Sequence, residues 1–137
     1  MRLLIIDDDV AHGESLTDLL QTRGHEAYFA RSFPEACWLL DLFRFQLAVV
    51  DYDMPGLNGL ELFRRLRTQD ATLKAIIMSA REPDGRLLEE LESTPFLPKP
   101  FRVKQLLEAI SRTLPTPLSS PPMLRVSFSL QRLEKKS

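Results

Sequence analysis

The segment from Leu47 to Gly56 constrains the fold of this chain more than any other. It reads Leu-Ala-Val-Val-Asp-Tyr-Asp-Met-Pro-Gly, so that four consecutive apolar residues are followed by an aspartate, Asp51. An uninterrupted apolar run of this length is typical of a strand that is buried on both faces. The Pro-Gly pair just beyond it predicts a loop. The pattern therefore indicates that Asp51 lies at the carboxyl end of a buried strand and outside the packed core.

Three other apolar segments are also followed by side chains that can do chemistry. They are Leu3–Ile6, followed by Asp7, Asp8 and Asp9; Ala75–Met78, followed by Ser79; and Phe96–Leu97, followed through Pro98 by Lys99. In an open α/β sheet the ligand site lies outside the carboxyl ends of the strands. We therefore expect the acids, the hydroxyl and the amine to meet at one edge, where they suit a divalent metal ion and a phosphoryl group.

Five predicted strands alternate with five predicted helices over residues 1–114. The strands are expected at Arg2–Ile6, Glu26–Ala30, Gln46–Asp51, Ala75–Ser79 and Phe96–Pro98. The helices are expected at His12–Arg23, after a cap at Ser32, from Gly59, at Asp84–Glu92 and at Val103–Leu114. This alternation predicts an α/β fold of the (βα)5 type, a doubly wound parallel five-stranded sheet. We expect the flavodoxin-like strand order 2-1-3-4-5, because it places the last strand at an edge, where Pro98 is tolerated.

The residues after this domain differ in composition. Residues 115–123 are rich in proline and predict an extended linker. Residues 124–137 form a tail that begins with strict apolar–polar alternation, which is typical of a half-buried strand. Three interpretations of the tail stay open: a disordered segment, an extra strand that pairs with a sheet edge of its own or another protomer, or the start of an output domain.

The composition restricts the classes of function. The chain has 137 residues and a net charge of −1, which gives no indication of direct nucleic acid binding. No apolar run is long enough to span a bilayer and the N-terminus lacks a signal-peptide pattern, so we expect a cytoplasmic protein without membrane contact. The single cysteine, Cys37, excludes an internal disulfide and a cysteine-rich metal centre. His12 and His25 have no ligand-type neighbours at a useful spacing and are predicted to be surface residues.

The predicted acid cluster suits Mg²⁺ or Mn²⁺. Magnesium prefers oxygen ligands and takes one or two carboxylates together with water and phosphate oxygens. Asp8 and Asp51 can each supply a carboxylate oxygen, and Asp7 can hold a metal-bound water. The backbone carbonyl of Asp53 is a further candidate ligand. With the ion in place, Asp51 is the predicted nucleophile toward a phosphoryl group.

Lys99 and Ser79 are the expected partners of the transferred group. Lys99 supplies a fixed positive charge for the phosphoryl oxygens. Ser79 supplies a hydroxyl that can donate to the same group. Since no histidine or glutamate is predicted there as a base, this division of roles is that of a phosphoryl acceptor.

The separated motifs resemble the response-regulator receiver domain over residues 1–114. They are Asp7-Asp8, Asp51 followed by Met54-Pro55-Gly56 and Gly59, Ser79-Ala80, and Lys99-Pro100-Phe101. The resemblance implies that Asp51 takes a phosphoryl group from a phosphohistidine of a sensor histidine kinase or phosphotransfer protein, with Mg²⁺ required. It implies a signalling phosphoacceptor that is not an enzyme beyond slow self-phosphorylation and autodephosphorylation. It also implies a cis peptide between Lys99 and Pro100.

The same resemblance implies a conformational switch. Ser79 moves toward the phosphoryl group, and the aromatic side chain of Phe96 changes rotamer. These movements change the surface formed by the fourth helix, the fifth strand and the fifth helix. The expected output is therefore contact with a downstream protein effector, or a homodimer, through that surface.

The chain departs from the common receiver pattern beside the site. Ser79 replaces the more frequent threonine, Asp53 adds an acid, and Arg81 lies two residues past Ser79. We hypothesise that Asp53 and Arg81 pair across the mouth of the site and shield the aspartyl phosphate from water. The expected consequence is slow autodephosphorylation.

Two other functions stay open. The spacing of Asp51 and Asp53 is similar to the nucleophile motif of haloacid-dehalogenase-type phosphatases, although in those enzymes the nucleophile strand comes first and the acidic pair last, the reverse of this chain. The other alternative is a phosphorylation-independent interaction or dimerisation module. The intact set of acids argues against it.

Overall fold

The computed structural model of the chain describes residues 1–114, and these form a parallel sheet with helices on both faces. The strands are β1 (Arg2–Ile6), β2 (Glu26–Ala30), β3 (Leu47–Asp51), β4 (Lys74–Ser79) and β5 (Phe96–Pro98). The helices are α1 (Val10–Thr22), α2 (Phe33–Leu42), α3 (Gly59–Gln69), α4 (Gly85–Leu91) and α5 (Val103–Thr113). All neighbouring strands pair in parallel, in the order β2-β1-β3-β4-β5. The predicted fold class and strand order are confirmed, whereas the linker predicted at 115–123 and the tail at 124–137 lie outside the described residues.

Several predicted element ends differ from the structure by one or two residues. The largest difference is at α1, which begins at Val10 and not at His12. The cause is Asp9, whose carboxylate accepts a hydrogen bond from the backbone N–H of His12 at 3.2 Å and so caps the helix one residue before Val10. Similarly, Asp84 caps α4 from outside it, since its carboxylate accepts from the backbone N–H of Leu87 at 2.8 Å.

The core lies in two layers, one on each face of the sheet, because successive strand residues point to opposite sides. On one face, residues such as Leu4 and Val50 pack with apolar residues of α2, α3 and α4. On the other face, residues such as Ile5 and Val49 pack with α1 and α5. The four apolar residues of β3 have no exposed surface. This two-sided burial fixes the central strand and hence the position of the residue at its end.

The edge strand β5 is tied to the end of β4. Pro98 lies opposite Ser79 in the ladder, at the sheet edge where a residue without an N–H is tolerated. The backbone N–H of Lys99 then donates to the carbonyl oxygen of Ser79 at 2.8 Å. Lys99 is thus brought to the carboxyl edge of the sheet by main-chain pairing. Among residues 1–114, no helix combines the length and apolar character needed to cross a membrane.

We predict that Gly59→Ala destabilises the protein. Gly59 is the first residue of α3, and a Cβ there would collide with the backbone carbonyl of Asp51 and the Cα of Tyr52. Because both obstacles are main chain, the expected loss in free energy of unfolding is about 1–3 kcal/mol, the usual cost of overpacking. Urea denaturation measures it.

The matched control is Gly85→Ala at the first residue of α4. A Cβ at Gly85 meets nothing within 4 Å. Alanine has the better helix propensity, so the control should leave stability unchanged or raise it by up to about 1 kcal/mol. Equal losses in the two variants would contradict the close approach of α3 to the end of β3.

Candidate functional site

Three side chains from different elements meet at the carboxyl edge of the sheet. Asp7 follows β1, Asp51 ends β3, and Lys99 follows β5. The Nζ atom of Lys99 lies 3.5 Å from Oδ1 of Asp51 and 3.7 Å from Oδ2 of Asp7. Asp51 is only 5% exposed and Asp7 is 0% exposed. The ammonium group of Lys99 therefore bridges two buried carboxylates.

Asp8 completes a group of three acids that can hold a metal ion. One carboxylate oxygen from each of Asp7, Asp8 and Asp51 lies within 4.8 Å of the others. Asp8 is exposed, so a bound ion would reach solvent on that side. Hard oxygen donors at this separation, with water access, suit Mg²⁺, which keeps several waters and takes few carboxylates. The donor set therefore fits the metal that the sequence predicts.

The carboxylate of Asp51 is fixed by a backbone hydrogen bond, and its environment changes its pKa. Its Oδ1 accepts a hydrogen bond from the backbone N–H of Asp53 at 3.2 Å. Burial raises the pKa of Asp51 to about 6; the Asp53 N–H opposes the rise, the charge of Asp7 adds to it and Lys99 opposes it. At neutral pH the group is mainly ionised, so an oxygen of Asp51 can act as a nucleophile without a separate base.

Ser79, Asp53 and Arg81 form a network beside Asp51. The buried hydroxyl of Ser79 donates to Oδ2 of Asp53 at 2.7 Å and accepts from the backbone N–H of Arg81 at 3.0 Å. The Nε atom of Arg81 lies 3.5 Å from Oδ1 of Asp53, and its guanidinium carbon lies 5.7 Å from the ring centroid of Tyr52. The contact between Asp53 and Arg81 was predicted from the sequence, whereas the hydrogen bond from Ser79 to Asp53 was not. In this conformation the Ser79 proton is engaged by Asp53.

Phe96 and the Lys99–Pro100 peptide complete the predicted positions. Phe96 is in β5, opposite Ile77 of β4, and its half-buried ring packs against the core layer that includes α4. The Lys99–Pro100 peptide is cis, as the resemblance implies. Phe96 is thus close in the fold to the surface that the resemblance assigns to the switch.

His12 has a contact at the site that its sequence context did not predict. Its Nδ1 atom lies 2.6 Å from Oδ2 of Asp7, so the prediction that His12 has no ligand-type neighbour is wrong, although its side chain remains partly exposed. The ring also packs edge-on against Phe101, with centroids 6.1 Å apart. The cap at Asp9 turns the chain so that the first turn of α1 lies above the end of β1. The spacing of Asp7 and His12 gave no signal for this contact, because it depends on the rotamer of the imidazole.

Comparison with known families identifies the class of protein. Residues 3–111 match the response regulator receiver domain. The chain therefore belongs to the response regulator receiver domain family, the signalling phosphoacceptors of two-component systems. Members of this family receive phosphoryl groups from histidine kinases and bind Mg²⁺ at an acidic pocket.

One of the curated relatives is the response regulator MprA of Mycobacterium avium. It is 35% identical over 109 residues, which are 78% of this chain and 48% of the relative. The chain thus spans about half the length of the curated relatives it matches first.

Two solved structures show the same architecture. The chemotaxis protein CheY4 of Vibrio cholerae has a TM-score of 0.76 at 24% identity, with 82% of this chain and 98% of that chain covered. The response regulator TrrA of Thermotoga maritima, solved with Mg²⁺ and BeF, has a TM-score of 0.71 at 27% identity, with 82% and 98% covered. At 24% identity the CheY4 likeness supports the fold alone.

We predict that Asp51→Asn stabilises the metal-free protein at neutral pH. The pKa of Asp51 is about 6 in the folded state, above its value of about 4 in an unfolded chain. The contribution of this carboxyl to folding is therefore fully present below about pH 4 and is lost as the pH rises through 6. Asparagine avoids that loss. Relative to wild type, the free energy of unfolding of the variant should therefore increase by about 1–2 kcal/mol as the pH rises from about 4 to 7. This range allows for solvent at the open edge.

Urea unfolding in EDTA across this pH range measures the gain. Asp70→Asn is the control, because hydrogen bonds from Thr72 lower the pKa of the Asp70 carboxyl. The stabilising effect of Asp70 is present above its unfolded pKa, so this variant should show no gain between about pH 5 and 7. A difference in free energy of unfolding between Asp51→Asn and wild type that does not change with pH would contradict the raised pKa of the buried Asp51.

Proposed function

We propose that this chain is a phosphorylation-activated switch in which Asp51 accepts the phosphoryl group. The observation that carries the proposal is the buried Asp51 carboxylate at the sheet edge, with Lys99 at 3.5 Å and the oxygens of two further acids within 4.8 Å. The proposed donor is a phosphohistidine on a sensor histidine kinase or phosphotransfer protein. Residues 1–114 are the proposed receiver, with 115–123 as a linker to the tail at 124–137.

In the proposed transfer, Asp51 is the nucleophile and Lys99 is the positive charge beside it. An oxygen of Asp51 attacks phosphorus, and a new O–P bond forms as the P–N bond of the phosphohistidine breaks. The leaving imidazole keeps the electron pair of that bond and takes a proton from solvent. Lys99, placed between Asp51 and Asp7, contacts the transferred phosphoryl oxygens.

The acids beside Asp51 would hold the metal ion. Asp7, Asp8, Asp51 and the backbone carbonyl of Asp53 are the proposed holders of Mg²⁺ or Mn²⁺, whose charge offsets that of the phosphoryl oxygens. The ion pocket is supported by the three carboxylate oxygens within 4.8 Å. It is also supported by TrrA, which is 27% identical and was solved with Mg²⁺ and BeF.

The proposed output begins at Ser79. Its hydroxyl leaves Asp53 and donates to the phosphoryl group on Asp51, and the half-buried Phe96 then changes its rotamer. The surface of α4, β5 and α5 is remodelled for a downstream protein effector or a second copy of the chain. Phosphorylation needs to supply only the difference in free energy between two existing conformations.

Asp53 and Arg81 form the proposed gate over the phosphorylated aspartate. Their contact of 3.5 Å supports this role, as does the position of the Arg81 guanidinium near the ring of Tyr52. Once Ser79 has left, Asp53 keeps Arg81 as its partner. The pair then stands between solvent and the phosphoryl group, which slows attack by water.

The phosphoacceptor assignment is tested with acetyl phosphate and Mg²⁺. We expect one phosphoryl group per chain by mass spectrometry, lost on treatment with hydroxylamine as an acyl phosphate should be, and none on Asp51→Asn. EDTA should abolish the labelling. Continuous hydrolysis of a generic phosphate ester would favour the phosphatase alternative, and partner binding by Asp51→Asn without Mg²⁺ would favour the interaction module.

The gate is tested by the lifetime of the phosphorylated protein. We expect Asp53→Asn and Arg81→Ala to shorten the half-life by up to about fivefold, the rate equivalent of an exposed ion pair worth about 0.2–1 kcal/mol. Glu26→Gln is the control, because it removes the charge of an ion pair with Arg2 at 3.2 Å at the opposite, amino end of the sheet. An unchanged half-life in both gate variants would exclude the shielding role.

A further inference from the structure

We propose that His12 is a positioning residue of the metal site, an inference that rests on the proposed function. The Nδ1 atom of His12 lies 2.6 Å from Oδ2 of Asp7. This hydrogen bond orients the carboxylate of Asp7 toward the ion and prevents Lys99 from closing on the same oxygen. His12 thereby sets the affinity of the site for its divalent cation without being a ligand itself.

The hydrogen bonds of Asp7 show how its orientation is fixed. Oδ1 of Asp7 accepts from the backbone N–H of Asp9 at 3.0 Å, and Oδ2 lies close to His12. A carboxylate only accepts, so Nδ1 of His12 carries the proton of the shared bond. Each carboxylate oxygen has two acceptor directions. The second direction on Oδ1 remains for the ion or its water, whereas Oδ2 also has the ammonium of Lys99 at 3.7 Å.

His12 is itself held by Asp9 and Phe101, which orient its imidazole as a hydrogen-bond donor. Its backbone N–H donates to Oδ1 of Asp9 at 3.2 Å, in the capped first turn of α1. Its ring packs edge-on against Phe101, which lies two residues past Lys99. Groups that hydrogen-bond to metal-ligating side chains orient those ligands and tune the metal.

The competing group is the ammonium of Lys99. Its Nζ atom lies 3.7 Å from Oδ2 of Asp7 and 3.5 Å from Oδ1 of Asp51. The Nδ1 atom of His12 is closer to Oδ2 of Asp7, at 2.6 Å. Without His12, Lys99 can move fully onto Asp7 and place a fixed positive charge where the divalent cation binds. Loss of His12 therefore weakens cation binding through both orientation and charge competition.

The test is a Mn²⁺ titration followed by the EPR signal of free Mn²⁺, with Mg²⁺ as a competitor. We expect His12→Leu to raise the Kd for both cations about tenfold or more, the usual effect of losing such a partner. His12→Asn places an amide N–H near the position of Nδ1 and should restore the Kd to within about threefold. His25→Leu removes the second histidine and should leave the Kd unchanged.

The outcomes separate this inference from the function on which it rests. If wild type binds no Mn²⁺, the proposed metal-dependent function fails with it. If wild type and His12→Leu bind equally well, only the role of His12 is overturned. Equal weakening in His12→Leu and His12→Asn would show that ring shape, and not the hydrogen bond, controls the site. Thermal unfolding in EDTA verifies that each variant is folded.

Discussion

The structure depends on two carboxylates, Asp7 and Asp51, that are buried side by side at one edge of the sheet. Like charges at short range repel, and burial raises the pKa of Asp51. Lys99 contacts both groups and offsets part of this charge. Backbone N–H groups and the imidazole of His12 stabilise the same carboxylates. The remaining negative charge suits this edge to the proposed divalent cation and, with that cation bound, to the proposed phosphoryl group.

The packing of the rest of the fold offsets the unfavourable free energy of the two neighbouring carboxylates. Parallel strands with right-handed crossovers must all end at the same side, so the residues that follow β1, β3, β4 and β5 converge there. The apolar residues of β3 pack on both faces of the sheet and hold Asp51 against the repulsion. Gly59 lets α3 begin directly against the end of that strand. Core packing and site geometry are therefore one constraint.

The sequence predicts those features that follow from strand patterns and strand ends. Four apolar residues and an acid locate Asp51, and the proline in β5 is consistent with its place at the sheet edge. The contact of His12 with Asp7 was missed, because it depends on where the cap at Asp9 starts α1. The bond from Ser79 to its acidic neighbour was missed too. Both depend on side-chain rotamers, which spacing along the chain does not determine.

Two hydrogen-bond and ion-pair networks lie beside Asp51, and each contains a donor, an acid and a second partner of that acid. In the structure, Lys99 is shared with Asp7, and the hydroxyl of Ser79 is engaged by Asp53. In the proposed phosphorylated state both donors turn to the phosphoryl group, and two acids each lose a partner. Asp7 then retains the imidazole beside it, and Asp53 retains the guanidinium beside it. Because a buried acid with few partners is costly, the imidazole beside Asp7 lowers the free energy of the switched state. Asp53 is exposed, so its second partner contributes less. His12 and Arg81 are therefore the second partners that let Lys99 and Ser79 turn to the phosphoryl group in the proposed switch.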